Sequence, residues 1–199
     1  MMREGKRARD GEKWIEESKE GPYQFVESTS SEDLISISNG TVTVRATMDE
    51  LIDAMAALVF TEASSSVSQF GDFQLALSDA DSLLPLYERL MYDPNVRGLP
   101  WLCTHLWQMK ESSEGIIEET IVNHADIPED QIHADLPVQI EEEPAPRIDC
   151  CVVDDTSNVP TDLQIRKIIL IATSVEACEV FAQSNSEFTV CGFVLQENQ

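Results

Sequence analysis

The amino-acid sequence predicts an α/β fold, a three-layer sandwich with a mostly parallel, Rossmann-like sheet in its centre. Strand-like and helix-like segments alternate along residues 41–199, which favours parallel strands joined by helices. Two segments, IDCCVV (148–153) and KIILIA (167–172), are nearly continuous apolar runs, as in strands that are buried on both faces. Capping boxes that begin at Thr47 and Thr173 mark two helix starts. We therefore expect helices on both faces of the sheet.

The spacing of apolar residues predicts the remaining elements. TVTVRA (41–46) alternates as a half-buried strand does, and Thr47 with Glu50 then opens a helix that carries an apolar stripe. The other predicted strands are FQLALS (73–78), THLWQM (104–109) and FTVCGFVL (188–195), and the other predicted helices cover about 83–91, 114–124 and 173–183. Pro144 and Pro146 predict a linker at 141–147.

The charged residues divide the chain into two parts. The sequence has 199 residues and a formal net charge of -24 at pH 7. Residues 1–20 are neutral, so the whole excess lies on residues 21–199. We interpret residues 1–40, which end in a Ser-rich stretch, as a mobile N-terminal leader, and residues 41–199 as one domain. Because so negative a body repels phosphates, we expect neither nucleic acid nor a membrane as a partner.

The five cysteines favour a cytoplasmic protein that has no metal site and no other cofactor. They are Cys103, Cys150, Cys151, Cys178 and Cys191. They lie in apolar stretches without a C-x-x-C pair, which is typical of buried thiols in a reducing compartment. The adjacent Cys150 and Cys151 should face opposite sides of one strand. A zinc site would need Cys and His close together, and the histidines are far from any cysteine pair.

Five short motifs follow one another in a specific order between residues 76 and 133. They are Ala76-Leu77-Ser78, Leu86-Tyr87-Glu88-Arg89-Leu90, Leu99-Pro100-Trp101, Ile127-Pro128 and Ile132-His133. In order and spacing they resemble the 6-phosphogluconolactonase family, which is related to glucosamine-6-phosphate deaminase within the sugar-phosphate isomerase type of fold. The likeness covers roughly residues 41–183. It implies the same three-layer fold and a place in carbohydrate metabolism, in the pentose phosphate pathway.

The phosphate-binding turn of that family is altered in this chain. Where the family has Gly-Gly-Ser-Thr, this sequence has Asp79, Ala80, Asp81 and Ser82. The resemblance implies that Ser78, Asp79, Asp81 and Ser82 stand at the ligand-binding position, where only the two serines offer hydroxyl groups to a phosphate. A carboxylate ~4 Å from a phosphate costs about 1 kcal/mol in water and several at a lower effective dielectric. The alternative interpretation is that Asp79 or Asp81 caps the helix that follows.

The catalytic histidine of the family has no counterpart either. In the family, G-x-G-x-D-G-H follows a strand equivalent to IDCCVV, whereas the strand here continues into DDTSN (154–158). The family's D-E-R segment is replaced by Lys110-Glu111-Ser112. We expect His105 inside a strand, His124 at a helix end and His133 in a connecting segment, where none is placed to act as a general base. The sequence therefore assigns no catalytic residue.

Asp154 and Asp155 form an acidic pair at the end of a predicted strand. Open α/β sheets place functional groups at the carboxyl ends of their strands. The pair could hold Mg²⁺ or Ca²⁺, joined by Asp79 and Asp81 if the two strands are neighbours. The alternative is a solvated acidic loop.

These observations leave three functional hypotheses. In the first, a 6-phosphogluconolactonase-like protein has lost catalysis and binds or regulates a partner protein of sugar-phosphate metabolism. In the second, the chain is an active 6-phosphogluconolactonase or sugar-phosphate isomerase with a rearranged site, and it binds a sugar phosphate. In the third, it is a binding module that depends on a divalent cation.

Overall fold

The computed structural model describes residues 34–109, 115–137, 147–160 and 163–196. The strands in these ranges are β1 (Leu34–Ile37), β2 (Gly40–Arg45), β3 (Phe73–Ser78), β4 (Thr104–Met109), β5 (Ile132–His133), β6 (Arg147–Ile148), β7 (Cys150–Asp154), β8 (Gln164–Ile165), β9 (Ile168–Ala172) and β10 (Val190–Leu195). The α-helices are α1 (Met48–Phe70), α2 (Leu84–Tyr92) and α3 (Val175–Ser184), and a π-helical turn covers Glu118–Val122. Strands and helices alternate as the sequence predicts. No helix within these ranges is long and apolar enough to cross a bilayer.

Eight of these strands form one sheet in the order β1-β2-β10-β9-β7-β3-β4-β5. All neighbours in it are parallel except β1, which pairs with β2 in the antiparallel sense. β6 and β8 form a separate two-stranded sheet. The helices α1 and α2 pack on one face of the large sheet and α3 packs on the other. The predicted three-layer α/β fold is therefore confirmed.

The sequence of β7 is apolar at successive positions because the strand is covered by helices on both faces of the sheet. Cys150 and Val152 face the core under α1 and α2, whereas Cys151 and Val153 face the core under α3. The prediction that the two cysteines point to opposite sides is confirmed. On the α3 side, Gly192 of β10 lets the helix come close, because a Cβ atom there would lie 2.6 Å from the sulfur of Cys178.

The order of the strands creates one crevice at the carboxyl edge of the sheet. From β3 the chain proceeds outward in one direction, to β4 and then β5, whereas from β7 it proceeds in the other direction, to β9 and then β10. β3 and β7 are adjacent, so the strand order reverses between them. Open α/β sheets bind ligands at such a switch point. The turn after Ser78 and the loop after Asp154 border it.

The predicted boundary of the leader is wrong for residues 34–40. Leu34–Ile37 forms the edge strand β1, since its backbone pairs with β2 across a turn at Ser38 and Asn39. The backbone N–H of Ser38 donates a hydrogen bond to Glu179 of α3 at 3.1 Å, which fastens this turn to the helix layer. The rest of the predicted leader, residues 1–33, lies outside the described residues. So does most of the predicted linker, whose last residue, Arg147, begins β6.

Two other elements differ from their predicted form. The helix expected over 114–124 is a shorter segment that ends in the π-helical turn Glu118–Val122. The run IDCCVV is divided at Asp149 into β6 and β7. Asp149 is fully buried, and one carboxylate oxygen lies 3.0 Å from Arg147 Nε and 3.2 Å from Arg166. This internal ion pairing fixes the chain where β6 leaves the line of β7.

Candidate functional site

The two strand ends that border the crevice are joined by hydrogen bonds between their side chains. Ser78 ends β3 and is fully buried, and its Oγ lies 3.0 Å from the Oγ of Ser157. Ser157 in turn donates to Asp154 Oδ1 at 2.9 Å. Because a serine hydroxyl has a single proton to donate, Ser78 is the donor in its bond to Ser157. The hydroxyl that the sequence offers to a phosphate is thus used inside the protein.

Asp154 is the centre of this network. Its carboxylate accepts from Ser82 Oγ at 3.0 Å, from the backbone N–H of Thr156 at 3.1 Å, from the hydroxyl of Thr156 at 2.8 Å, and from Ser157. Burial alone would raise the pKa of this carboxyl, but the bonds from Thr156, Ser157 and Ser82 outweigh burial and lower its pKa. An ionised carboxylate accepts about four hydrogen bonds. Asp154 is therefore charged at neutral pH, with three of these bonds on Oδ1 and the bond from Ser82 on Oδ2.

Asp79 bridges the turn after β3 to a distant segment. It is 5% exposed, and its two oxygens accept from the backbone N–H groups of Gly115 at 3.1 Å and Ile117 at 3.2 Å. The interpretation that Asp79 or Asp81 caps the next helix is wrong. The short 3₁₀ turn before α2 has Ala80 at its N-cap, without a side-chain bond, and Asp79 instead holds the start of the helical segment around 116–122. Asp81 is exposed.

These contacts decide what the crevice can do chemically. Backbone N–H groups at a helix start are the usual donors to a bound phosphate. Here the donors of Gly115 and Ile117 already bind the Asp79 carboxylate. The hydroxyls of Ser78 and Ser82 are bonded to Ser157 and Asp154. These two hydroxyls and two N–H groups are therefore already bonded within the protein.

The acidic cluster that the cation-binding hypothesis needs does not form. Asp155 accepts from the backbone N–H of Thr173 at 3.1 Å and from its hydroxyl at 2.9 Å, which directs it towards β9. Asp79 and Asp154 are directed to the separate partners given above. Within the described ranges no group of three or more His, Cys, Asp or Glu side chains is placed to hold a metal ion.

The three histidines, all of them described, lie away from the crevice. His105 is in β4 opposite Gln74, which is four positions before Ser78 and so about 13 Å from it along the strand. Its Nδ1 lies 3.2 Å from Nε2 of His133 in β5, and the His133 ring stacks on Trp107 with 3.8 Å between centroids. His124 contacts the ring of Tyr92. The expectation that His105 lies in a strand is confirmed, whereas the expectation that His133 lies in a connecting segment is wrong, because it pairs with β4 as part of β5.

The sequence singles out four residues that border the crevice, Ser78, Asp79, Ser82 and Asp154, but it gives no site role to Ser157 or Tyr87. Tyr87 is fully buried in α2 and donates a hydrogen bond to the backbone carbonyl of Ser78. The signal for Ser157 is its place in the short polar segment after Asp154, since Asp and Ser are frequent turn formers that make local side-chain hydrogen bonds. Tyr87 is part of the motif at residues 86–90, but nothing local indicates its bond to Ser78, because that contact depends on the packing of α2 on β3.

These features define a class of protein: an open, mostly parallel α/β sheet with its candidate site at the switch point of the strand order. Comparison with solved structures places the chain within that class. It matches the 6-phosphogluconolactonase of Trypanosoma brucei with a TM-score of 0.58 and 16% identity, covering 80% of this chain and 97% of that one. It matches the 6-phosphogluconolactonase of Shewanella baltica with a TM-score of 0.55 and 12% identity, covering 80% and 99%. It matches that of Thermotoga maritima with a TM-score of 0.53 and 12% identity, covering 78% and 100%. The fold of this chain is that of the 6-phosphogluconolactonases, and the resemblance inferred from its motifs is confirmed at this level.

The sequence of this chain is also similar to part of a curated human protein. It is the GDH/6PGL endoplasmic bifunctional protein, which is 31% identical to this chain over 108 residues, half of this chain. The chain spans only 13% of the length of that relative. No family model matches the sequence.

Proposed function

We propose that this 6-phosphogluconolactonase-like protein does not hydrolyse sugar-phosphate lactones and acts instead as a binding or regulatory partner in carbohydrate metabolism, in the pentose phosphate pathway. The pathway is suggested by the relatives, whose names assign them lactonase activity. The loss of catalysis is suggested by the site. The five cysteines, all of them described, form no disulfide with one another, which fits a reducing compartment such as the cytoplasm.

One observation carries the proposal: the side chains of Ser78, Ser82 and Asp79 at the crevice are hydrogen-bonded to other groups of the chain. A phosphate that used the N–H groups of Gly115 and Ile117 would have to displace Asp79 from them, and this buried carboxylate would lose the two bonds. Breaking such bonds to a charged group costs about 1.5–3 kcal/mol each. It would also bring a second anion towards Asp154, which is already charged. Both effects oppose the binding on which hydrolysis depends.

The second argument for the proposal concerns the general base that hydrolysis requires. A general base has to lie within hydrogen-bond reach of the attacking water, about 2.6–3.2 Å, or one water away. The loop after β7 supplies Asp154 and Ser157, which are bonded to each other and to Ser78. Asp154 has a lowered pKa and accepts four hydrogen bonds, which makes it a weak base.

The rival candidate is an active lactonase or isomerase with a rearranged site. It is favoured by the fold, and by Ser82, which is exposed at the crevice edge. On this view ligand binding breaks the bond between Ser82 and Asp154 and frees that carboxylate to act on water.

The rate of hydrolysis of fresh 6-phosphogluconolactone distinguishes the two candidates. We expect the purified protein to leave the spontaneous rate unchanged, in an assay where the Thermotoga maritima enzyme consumes the substrate completely. Hydrolysis that rises in proportion to protein concentration would refute the proposal. In that event Asp154→Asn should abolish the added rate if Asp154 is the base, and the exposed Asp81→Asn should retain most of it.

A further inference from the structure

A surface groove lies beside the crevice, between the loop after β7 and the helix α3. Its volume is about 550 Å³. One wall is formed by the loop from Asp155 to Val159. The other is formed by one face of α3, from Glu176 to Ser184, and by Asn185, which follows the helix. Pockets of roughly 300–1,000 Å³ are of the size that binds compact ligands. The groove is therefore large enough for a few side chains of a bound segment.

The floor and one edge of the groove are apolar. Val159 and Phe181 lie in the floor and are 5% and 7% exposed. Val180 lines the same groove, and its side chain is 63% exposed. A valine with so much of its surface in water gains free energy when an apolar group covers it. The groove thus suits an occupant that carries at least one aliphatic side chain.

The charged residues that line the groove are all acidic. Asp155 stands on the loop wall and Glu176 on the helix wall, and the lining includes no Lys or Arg. The Lys and Arg residues of the described ranges do not neutralise the carboxylates of the groove. Four of them are held in ion pairs with acidic side chains elsewhere in the fold: Arg89, Arg147, Arg166 and Lys167. The remaining two, Arg45 and Arg97, are not part of the groove lining.

We propose that this groove binds a short basic segment of a partner protein, in which an aliphatic side chain fills the apolar floor and flanking Lys or Arg side chains pair with Asp155 and Glu176. The charge complementarity selects a cationic occupant, and the exposed Val180 selects an amphipathic one rather than a free cation. The inference rests on the proposed binding role and names the chemistry of the partner. It is measured separately from hydrolysis, so either proposal can fail without the other.

The test uses fluorescence anisotropy with two labelled synthetic peptides, Lys-Arg-Leu-Leu-Lys-Arg and the same peptide with Ser in place of Leu. We expect the leucine peptide to bind saturably and about tenfold more tightly than the serine peptide, because only leucine can occupy the apolar floor. Equal affinity for the two peptides, or no saturable binding of the leucine peptide, would overturn the proposal.

Two variants separate the groove from general attraction to a negative protein. Val180→Glu adds a negative charge, so non-specific attraction predicts equal or tighter binding of the leucine peptide. The groove predicts the opposite, a loss of about tenfold, because the apolar contact is removed. Since Val180 is exposed, this change leaves the core of the fold intact, and circular dichroism verifies that α3 is retained.

The matched charge reversals are Glu176→Lys in the groove and Glu129→Lys on the exposed turn before β5. We expect Glu176→Lys to weaken the leucine peptide about tenfold, and Glu129→Lys by less than about twofold. If both reversals weaken binding equally, or if Val180→Glu strengthens it, the attraction is non-specific and the groove is not the site. Should Val180→Glu fail to fold, the two reversals alone decide between the outcomes.

Discussion

The carboxylate of Asp79 lies where two backbone N–H groups converge, and in that respect it acts as an internal anion. Gly115 and Ile117 donate to its two oxygens, one each. The sequence predicted that Asp79 is part of the site, because the residue replaces a glycine in a recognisable turn. It did not predict the partners, which lie 36 and 38 residues further along the chain and meet Asp79 only in the folded sheet.

Asp79→Ala should destabilise the protein by at least about 2 kcal/mol, since buried N–H groups lose a charged acceptor. The free energy of unfolding is measured by urea denaturation. The matched control is Asp81→Ala, two residues away and exposed, which should change stability by less than about 0.5 kcal/mol. Equal effects of the two substitutions would mean that Asp79 does not hold the segment that begins at Gly115.

His133 in β5 makes the edge of the sheet sensitive to pH. Burial lowers the pKa of His133, the neighbouring His105 lowers it further, and Asp130 opposes both effects. The unfolded chain therefore binds a proton at His133 more readily than the folded chain does. The stability that the neutral His133 contributes is present above pH ~6.5 and is lost as the pH falls through its folded pKa.

We expect this loss to depend on His133 itself. Between about pH 7.5 and pH 5.5, the free energy of unfolding of the unaltered protein should change in the destabilising direction relative to that of His133→Gln, which has no proton to bind in this range. Urea denaturation of both proteins at the two pH values measures the difference. An identical change with pH in both proteins would contradict the prediction.

The start of α3 illustrates how far an element can be derived from sequence. The capping box predicted at Thr173 gave the helix within two residues of its observed start at Val175, but Thr173 is not the cap. Ser174 is the N-cap and accepts from the backbone N–H of Ala177 at 3.1 Å. Thr173 instead donates to Asp155 on the loop after β7. Both residues are cap formers, and only this tertiary contact assigns their roles.

The two residues should therefore respond differently to substitution. Ser174→Ala removes the cap of α3 and should cost about 1 kcal/mol of stability. Thr173→Val keeps the β-branched shape but removes the hydroxyl bond to Asp155, and it should cost about 0.5–1.5 kcal/mol without lowering the helix content. Thermal unfolding followed by circular dichroism measures both. If Thr173→Val lowers the helix content and Ser174→Ala does not, then Thr173 and not Ser174 is the N-cap of α3.

At the scale of the whole molecule, the fold could be derived from periodicity and the closure of the site could not. FQLALS and THLWQM form strands with the predicted bounds, because alternation and buried apolar runs report directly on sheet faces. The edge strand Leu34–Ile37 was missed, since a short segment in Ser-rich surroundings gains its structure from pairing with β2. The hydrogen bond between Ser78 and Ser157 joins residues that are 79 positions apart, and Ser157 in turn bonds Asp154. No local sequence pattern predicts the contact between Ser78 and Ser157.

The most direct test of the central claim, that the chain's own side chains close the strand-end crevice, is an NMR titration with 6-phosphogluconate. The account predicts that the backbone amide signals of residues 78–82 and 154–157 show no saturable shift up to millimolar concentrations of the ligand. Saturable shifts at these amides, with a dissociation constant below about 1 mM, would show that the crevice opens to a sugar phosphate and would contradict the account.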